Sequence, residues 1–236
     1  MRLSLVIPAY NEEERIGETL HAVEAYFARQ DYEAEVVLVD DGSRDATASV
    51  AQAVSPELHL ITYKPNCGKG HAVKTGMLAA AGDYRVFYDA DGSTPIDELE
   101  KLWPRFEAGA DIVIGSRSLP DSDVQVRQHL LRQSMGRTFN LFVKGLLGAP
   151  YIDTQCGFKG FTAASAGVVF SRQRLNGFCF DAELLYIARK HGLRIDEVPV
   201  RWINSPDSRV RVVGDSLQMF CDLVRVRLND ARGCYR

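Results

Sequence analysis

The stretch Tyr84-Arg85-Val86-Phe87-Tyr88-Asp89-Ala90-Asp91 reads as a short apolar strand that runs straight into two carboxylates. The same change from apolar run to polar cluster recurs along the first 118 residues. Leu3-Ser4-Leu5-Val6-Ile7 leads into Pro8-Ala9-Tyr10-Asn11-Glu12, and Val36-Val37-Leu38-Val39 into Asp40-Asp41-Gly42-Ser43. A third strand over 58–63 leads into Asn66-Cys67-Gly68-Lys69, and a fifth over 111–114 into Gly115-Ser116-Arg117. Helical spacing fills the gaps. Ile16, Leu20, Val23 and Phe27 mark a helix over 12–30, and shorter ones are expected over 45–54 and 70–81. Thr94-Pro95 followed by Asp97 carries a cap, a proline at the first position and an early acid, so a further helix is expected to run to about residue 107. Strands alternating with helices of this length predict parallel βαβ units. Strands this apolar predict a sheet covered on both faces. The fold class is therefore α/β, a Rossmann-like, mostly parallel sheet flanked by helices. Ligands of such sheets bind beyond the carboxyl ends of the strands, which is where the polar clusters fall.

Asp89 and Asp91 sit at i and i+2 past a strand end, where both can serve one hard divalent cation. Mg²⁺ typically takes only one or two protein carboxylates and shares the rest of its shell with water and substrate phosphates. The pair thus reads as half of a site whose other half is a diphosphate. A solvated turn is the competing reading, because Asp91-Gly92 is a common turn dipeptide. No dinucleotide fingerprint is present, and Gly68-Lys69-Gly70 lacks the Walker A spacing.

The 236 residues are 46% hydrophobic and 25% charged, enough for one substantial core. A net charge of −3 argues against wholesale nucleic-acid binding. The charge is uneven: residues 1–118 carry −9 and residues 119–236 carry +6. An acidic half suits a cation, and a basic half suits an anionic ligand or a membrane surface. The five cysteines include no Cys-x-x-Cys pair, so neither a disulfide framework nor a structural zinc site is expected, and a reducing cytosol fits. Met1 leads directly into a strand, which leaves no room for a signal peptide. No stretch approaches the roughly 20 apolar residues of a spanning helix. A soluble or membrane-peripheral protein is expected.

Beyond residue 118 the pattern loosens. Residues 126–147 read as largely helical and carry Arg127, Arg132, Arg137 and Lys144. A segment containing Asp153-Thr154-Gln155-Cys156-Gly157-Phe158-Lys159 follows, then a helix over 180–191 and a strand over 195–202. The last helix, 214–230, places Leu217, Phe220, Cys221, Val224 and Leu228 on one stripe. That stripe and the 126–147 helix fit a membrane interface or ordinary core equally well.

Together these segments resemble glycosyltransferase family 2, the inverting GT-A transferases. The likeness rests on Val6 to Glu12, Val39 to Ser43, Asn66 to Gly70 with Gly76-Met77, Asp89-Ala90-Asp91 and Gly115-Ser116-Arg117, and it spans nearly the whole chain. Asp153 to Lys159 and Phe180-Asp181-Ala182-Glu183-Leu184-Leu185-Tyr186 are similar to the branch that glucosylates or mannosylates dolichyl phosphate, with the glucosyl side nearer. Two features depart from the pattern. The membrane helices that many relatives carry are missing, which points to a separate membrane-protein partner. Ser93 stands where the mannosyl enzymes place a metal-binding Gln.

The resemblance implies transfer of a sugar from a nucleotide diphosphate to a polyprenyl or dolichyl phosphate. UDP-glucose is the expected donor, with GDP-mannose and UDP-GlcNAc as alternatives, and Mg²⁺ or Mn²⁺ the cofactor. Residues 1–118 would hold nucleotide sugar and metal, and 119–236 the acceptor and lipid side of the same domain. Asp91 would bind metal, and Asp89 the ribose or the metal. Pro8, Ala9, Tyr10 and Glu12 would wall the base and ribose, and Glu12 could instead pair with a helix dipole. Val39, Asp40, Asp41 and Ala90 would line the nucleotide, with one of the two adjacent aspartates left to cap a turn. Lys69, Arg117 and Arg209 would approach the diphosphate, Arg117 through its two-pronged fork. Asp153 has motif support without a defined role. Asp181 would cap the helix after it or, were the acceptor a hydroxyl, act as base. Transfer to a glycan or glycolipid hydroxyl, and a non-catalytic nucleotide-sugar-binding partner, are the alternative functions.

Overall fold

The computed structural model of the chain describes residues 1–125, 130–203 and 214–236, without the side chains of 130–135, 137 and 214–217. The first half alternates as expected: β1 (Arg2–Ala9), α1 (Ile16–Phe27), β2 (Glu33–Asp40), α2 (Thr47–Val54), β3 (His59–Thr62), α3 (Lys69–Ala79) and β4 (Tyr84–Tyr88). A 3₁₀ helix (Ile96–Lys101) and α4 (Trp103–Glu107) then lead to β5 (Ile112–Ser116). The single helix expected from Thr94-Pro95 is thus two short pieces, and no side chain caps the first. Pro104 lies in the first turn of α4, where its missing N–H and fixed φ start a helix rather than continue one. The second half holds β6 (Asp123–Val124), α5 (Leu130–Leu147), β7 (Phe158–Thr162), α6 (Ala163–Arg172), α7 (Phe180–Lys190), β8 (Ile195–Pro199), β9 (Arg201–Trp202) and α8 (Gly214–Ala231).

The main sheet runs in the order β3-β2-β1-β4-β7-β5-β8. All its pairings are parallel except those of β7, which lies antiparallel between β4 and β5. Neither β7 nor α6 was expected. Lys159 breaks the apolar pattern of the strand, so Phe158-Lys159-Gly160-Phe161-Thr162 reads as loop until the sheet supplies neighbours. Strands from both halves of the chain share this one sheet, so the core is common to them.

Side-chain alternation divides the core in two. Val6, Val37, Val39, Phe87 and Ile114 face α3, α6 and α7. Leu5, Ile7, Leu38, Val86 and Val113 face α1 and the α4 region. On the first face α3 presses close at Gly76, where a Cβ would lie 2.4 Å from Val6 Cγ1 and 2.9 Å from Val39 Cγ2. Strand order reverses between β1 and β4, and a crevice opens beyond their carboxyl ends at such a switch point. The register sets Ala9 beside Asp40 and Val6 beside Phe87, so the clusters after β1, β2 and β4 border one crevice.

The apolar stripe of α8 lies on the outside. Met219, Leu223 and Val226 are buried, whereas Phe220, Val224 and Leu228 are 38%, 42% and 50% exposed. From α5, Leu141 and Phe142 are exposed as well, and the Phe142 and Phe220 rings meet edge-on at 5.1 Å. No helix among the described residues is long and apolar enough to cross a membrane.

Candidate active site

The loops around the crevice are laced together by side chains that the sequence offered as ligand contacts. After β1, the Asn11 amide donates to Ser43 Oγ at 2.9 Å and the Arg44 amide donates to Asn11 Oδ1 at 2.8 Å. Asn11 holds φ +54°, a left-handed conformation that asparagine tolerates. The Glu12 amide donates to Thr47 Oγ1 at 2.7 Å, and the buried Glu12 carboxylate accepts from Arg15 Nε at 2.9 Å. Pro8 and Ala9 are buried and Tyr10, just past the end of β1, is half-buried.

Asp40 and Asp41 are both buried. Asp40 Oδ1 accepts from the Ser43 amide at 2.9 Å, closing a turn. Asp41 accepts from the Cys67 amide at 2.7 Å, the Gly68 amide at 2.9 Å and Asn66 Nδ2 at 2.7 Å. That carboxylate thereby fixes the loop in front of α3. The Val39 side chain is fully buried in the core, and Ala90 is buried with its carbonyl accepting from Thr19 Oγ1 at 2.8 Å.

Asp89 and Asp91 follow β4. Asp91 Oδ1 accepts from the Ser93 amide at 3.0 Å, while Ser93 Oγ is buried without a hydrogen-bond partner among the described residues. Asp89 Oδ1 lies 2.6 Å from Lys69 Nζ, and both side chains remain partly exposed. Lys69 is the first residue of α3. Burial would lower its ammonium, but Asp89 and, farther off, Asp181 and Asp91 hold it above the ordinary lysine range.

Behind Asp89 is bare backbone. Its amide donates to the Gly157 carbonyl at 3.2 Å, and a Cβ on Gly157 would sit 1.8 Å from Asp89 Oδ2. Only glycine leaves room for the carboxylate there. In Gly157→Ala the carboxylate, a movable side-chain end, would swing away from Lys69. Metal-dependent nucleotide affinity is expected to fall at least tenfold, roughly the 1.4 kcal/mol of one lost charge contact, with the melting temperature nearly unchanged. Calorimetry with UDP and Mn²⁺ checks this, and wild-type affinity would show that the Asp89 orientation is unimportant.

Two further ion pairs flank the crevice. Arg117, at the end of β5, donates to Asp153 through Nε at 2.7 Å and Nη2 at 2.9 Å, and through its backbone amide at 3.0 Å. Its guanidinium also stacks 5.5 Å from the Trp202 ring centre. Burial would raise the Asp153 carboxyl, but Arg117 holds it down at about 2. The fork expected on a phosphate is therefore committed along one edge to Asp153, with Nη1 outside those contacts.

Lys159 is fully buried in β7. Its ammonium donates to Asp181 Oδ1 at 2.5 Å and to the Cys156 carbonyl at 2.5 Å, and lies 5.1 Å from the Phe87 ring centre. Burial pushes the Asp181 carboxyl above the ordinary range against the pull of Lys159 and Lys69. Asp181 lies in the first turn of α7, but Cys179 is the cap residue and no side chain caps that end. The structure thus brings Asp89, Asp91, Lys69 and Asp181 into one neighbourhood and adds Gly157 and Lys159, which were quoted in a motif but given no role. Arg209, with Ser208 and Arg211, lies outside the described residues.

The donor set fits a hard divalent cation. Asp89 already holds a cationic group at bonding distance, and an unpartnered hydroxyl stands two residues past Asp91. The described residues contain no cluster of three or more His, Cys, Asp or Glu side chains that could hold a metal alone. Such a cation would take the two carboxylates and complete its shell with water and phosphate oxygens, as Mg²⁺ does.

Residues 4–164 match the family model for glycosyl transferase family 2. The chain is 35% identical over 249 aligned residues to a dolichyl-phosphate beta-glucosyltransferase of Dictyostelium discoideum, covering 99% of this chain and 76% of that protein. It is 33% identical to the protein of that name from Homo sapiens, covering 100% and 78%. In structure it resembles glucosyl-3-phosphoglycerate synthase from Mycobacterium tuberculosis in complex with Mn²⁺, UDP and glucosyl-3-phosphoglycerate, with TM-score 0.71, 20% identity and coverage of 97% and 79%. The same synthase in complex with Mg²⁺ and UDP gives TM-score 0.70.

Proposed function

The chain belongs to glycosyl transferase family 2, and we propose that it transfers glucose from UDP-glucose to a polyprenyl phosphate of the dolichyl type, with inversion at the sugar carbon. The observation that carries this reading is the pairing of Asp181 with Lys159 at 2.5 Å. A sugar hydroxyl acceptor needs a base to take its proton, and here the carboxylate suited to that task is already engaged, one oxygen accepting from the buried Lys159 ammonium. A phosphate acceptor is already ionised at neutral pH and needs none. Catalysis then rests on orienting the acceptor and stabilising the departing diphosphate.

Asp91 and Asp89 would hold Mg²⁺ or Mn²⁺, which when bound supplies Lewis-acid stabilisation of the diphosphate. The names of the relatives support glucose and dolichyl phosphate, and the Mn²⁺ and Mg²⁺ complexes of the synthase support a divalent metal and UDP. Pro8, Ala9, Tyr10 and Glu12 wall the nucleoside, and the Asp40 turn forms the floor. Asp41 acts by holding the loop that presents Lys69. Arg117, oriented by Asp153, offers Nη1 toward phosphate. Residues 1–118 serve the donor and 119–236 the acceptor.

The outward apolar face formed by Leu141, Phe142, Phe220, Val224 and Leu228 is where the lipid side of the reaction would lie. The exposed Lys144 and Arg225 suit anionic headgroups. The protein would thus work peripherally, at the inner face of the membrane.

The test is incubation of the protein with Mg²⁺ or Mn²⁺, a polyprenyl phosphate in vesicles and, in parallel, UDP-glucose, UDP-GlcNAc and GDP-mannose. The expected result is a glucosylated lipid phosphate, seen by mass spectrometry, with UDP-glucose alone. Product only with another donor would reassign the sugar. Product only on a glycan or glycolipid hydroxyl would overturn the acceptor.

A further inference from the structure

We propose that Lys69 is a stand-in counter-ion for the metal, resting on Asp89 until a metal and a diphosphate arrive together and then passing to the diphosphate. The inference deepens the functional reading above and rests on it.

Three observations carry it. The ammonium occupies one oxygen of Asp89, a carboxylate that would bind the metal, at 2.6 Å, so a cation arriving alone would have to displace it. The backbone of Lys69 cannot follow the ammonium, because the neighbouring amides are tied down. The Gly68 amide donates to Asp41 at 2.9 Å and the Gly70 amide to the Asn176 carbonyl at 2.7 Å. Any exchange is therefore a swing of the four-carbon side chain alone. Finally, the other carboxylates of this neighbourhood are already engaged: Asp181 pairs with Lys159, Asp153 with Arg117, and Asp91 would be taken by the incoming metal.

Charge balance explains the coupling. Asp89, Asp91 and Asp181 against Lys69 and Lys159 leave one net negative charge. A divalent cation alone would turn the cluster positive and strand Lys69 without a partner. A cation with the two negative charges of a sugar-nucleotide diphosphate restores the original balance and gives Lys69 an anion to meet. Such a site binds metal weakly without nucleotide and tightly with it. By linkage, each ligand raises the affinity of the other by the same factor.

The experiment titrates Mn²⁺ with and without UDP, following the electron paramagnetic resonance of free Mn²⁺, in wild type, Lys69→Met and Lys69→Arg. In wild type UDP should tighten Mn²⁺ binding; if it does not, the functional reading fails and this inference with it. With that established, Lys69→Met should bind Mn²⁺ alone at least tenfold more tightly than wild type and gain correspondingly less from UDP. Lys69→Arg, which keeps the charge, should stay within about threefold of wild type. In crystals with UDP and Mn²⁺ the Lys69 Nζ to Asp89 Oδ1 separation should exceed 4 Å. Unchanged or weaker binding of Mn²⁺ alone to Lys69→Met, or an intact pair in that complex, would overturn the exchange while leaving the functional reading standing.

Discussion

Replacing Lys159 with methionine should destabilise the protein by about 3–5 kcal/mol, the cost typical of removing one partner from a buried ion pair. Lys159 is fully buried and the Asp181 side chain nearly so. The variant therefore leaves a carboxylate without its counter-charge and the Cys156 carbonyl without its donor. The loss should depend on pH in a definite direction. Burial already pushes Asp181 upward, and without Lys159 only the more weakly coupled Lys69 opposes the push. The folded variant then retains a proton that the unfolded chain releases above about pH 4. Its stability falls as pH rises from there through the raised folded value, so the cost should be smaller at pH 5 than at pH 8. Urea unfolding at both pH values measures it. The double variant Lys159→Met with Asp181→Leu should recover much of the loss, because an apolar pair of similar volume removes the stranded charge. A cost below about 1 kcal/mol, the range of exposed pairs, would mean that water reaches the pair.

Asp91→Ala should remove the metal-dependent part of UDP binding and lower turnover by about a thousandfold, in the range seen when one electrostatic stabiliser of a transition state is deleted. Two roles of Asp91 must be separated. Its Oδ1 shapes the turn by accepting from the Ser93 amide, and its charge would bind metal. Asp91→Asn retains the acceptor and loses the charge. If metal binding is the role, both variants lose the Mn²⁺ enhancement in calorimetry. If only the alanine variant loses it, the turn is what matters. Unchanged enhancement in both would move the metal to Asp89.

Much of this was legible in the linear chain. Periodicity located β1 to β5 and their helices because each buries an apolar run, a local property. The sheet is covered on both faces because those runs are nearly continuous. The polar clusters fell at strand ends because a parallel α/β sheet leaves its carboxyl edge open. Asp40 and Asp41 looked alike in sequence, and only their neighbours separate them: one closes its own turn, while the other reaches across to residues 66–68.

What the chain determined by itself was therefore the α/β class, the family likeness and the sheet edge at which the polar clusters gather, since all three follow from short-range pattern. The tertiary structure decided the rest. It slots β7 antiparallel between β4 and β5, burying Lys159 against an aspartate 22 residues away. It presses Gly157 against Asp89, sets Lys69 on the same carboxylate, and turns the α8 stripe outward by burying Met219, Leu223 and Val226 instead. A lysine in an apolar strand is a visible anomaly, but its partner is not. Which charges meet is settled when long-range strand pairing closes, where desolvation makes an unpaired charge too costly to keep.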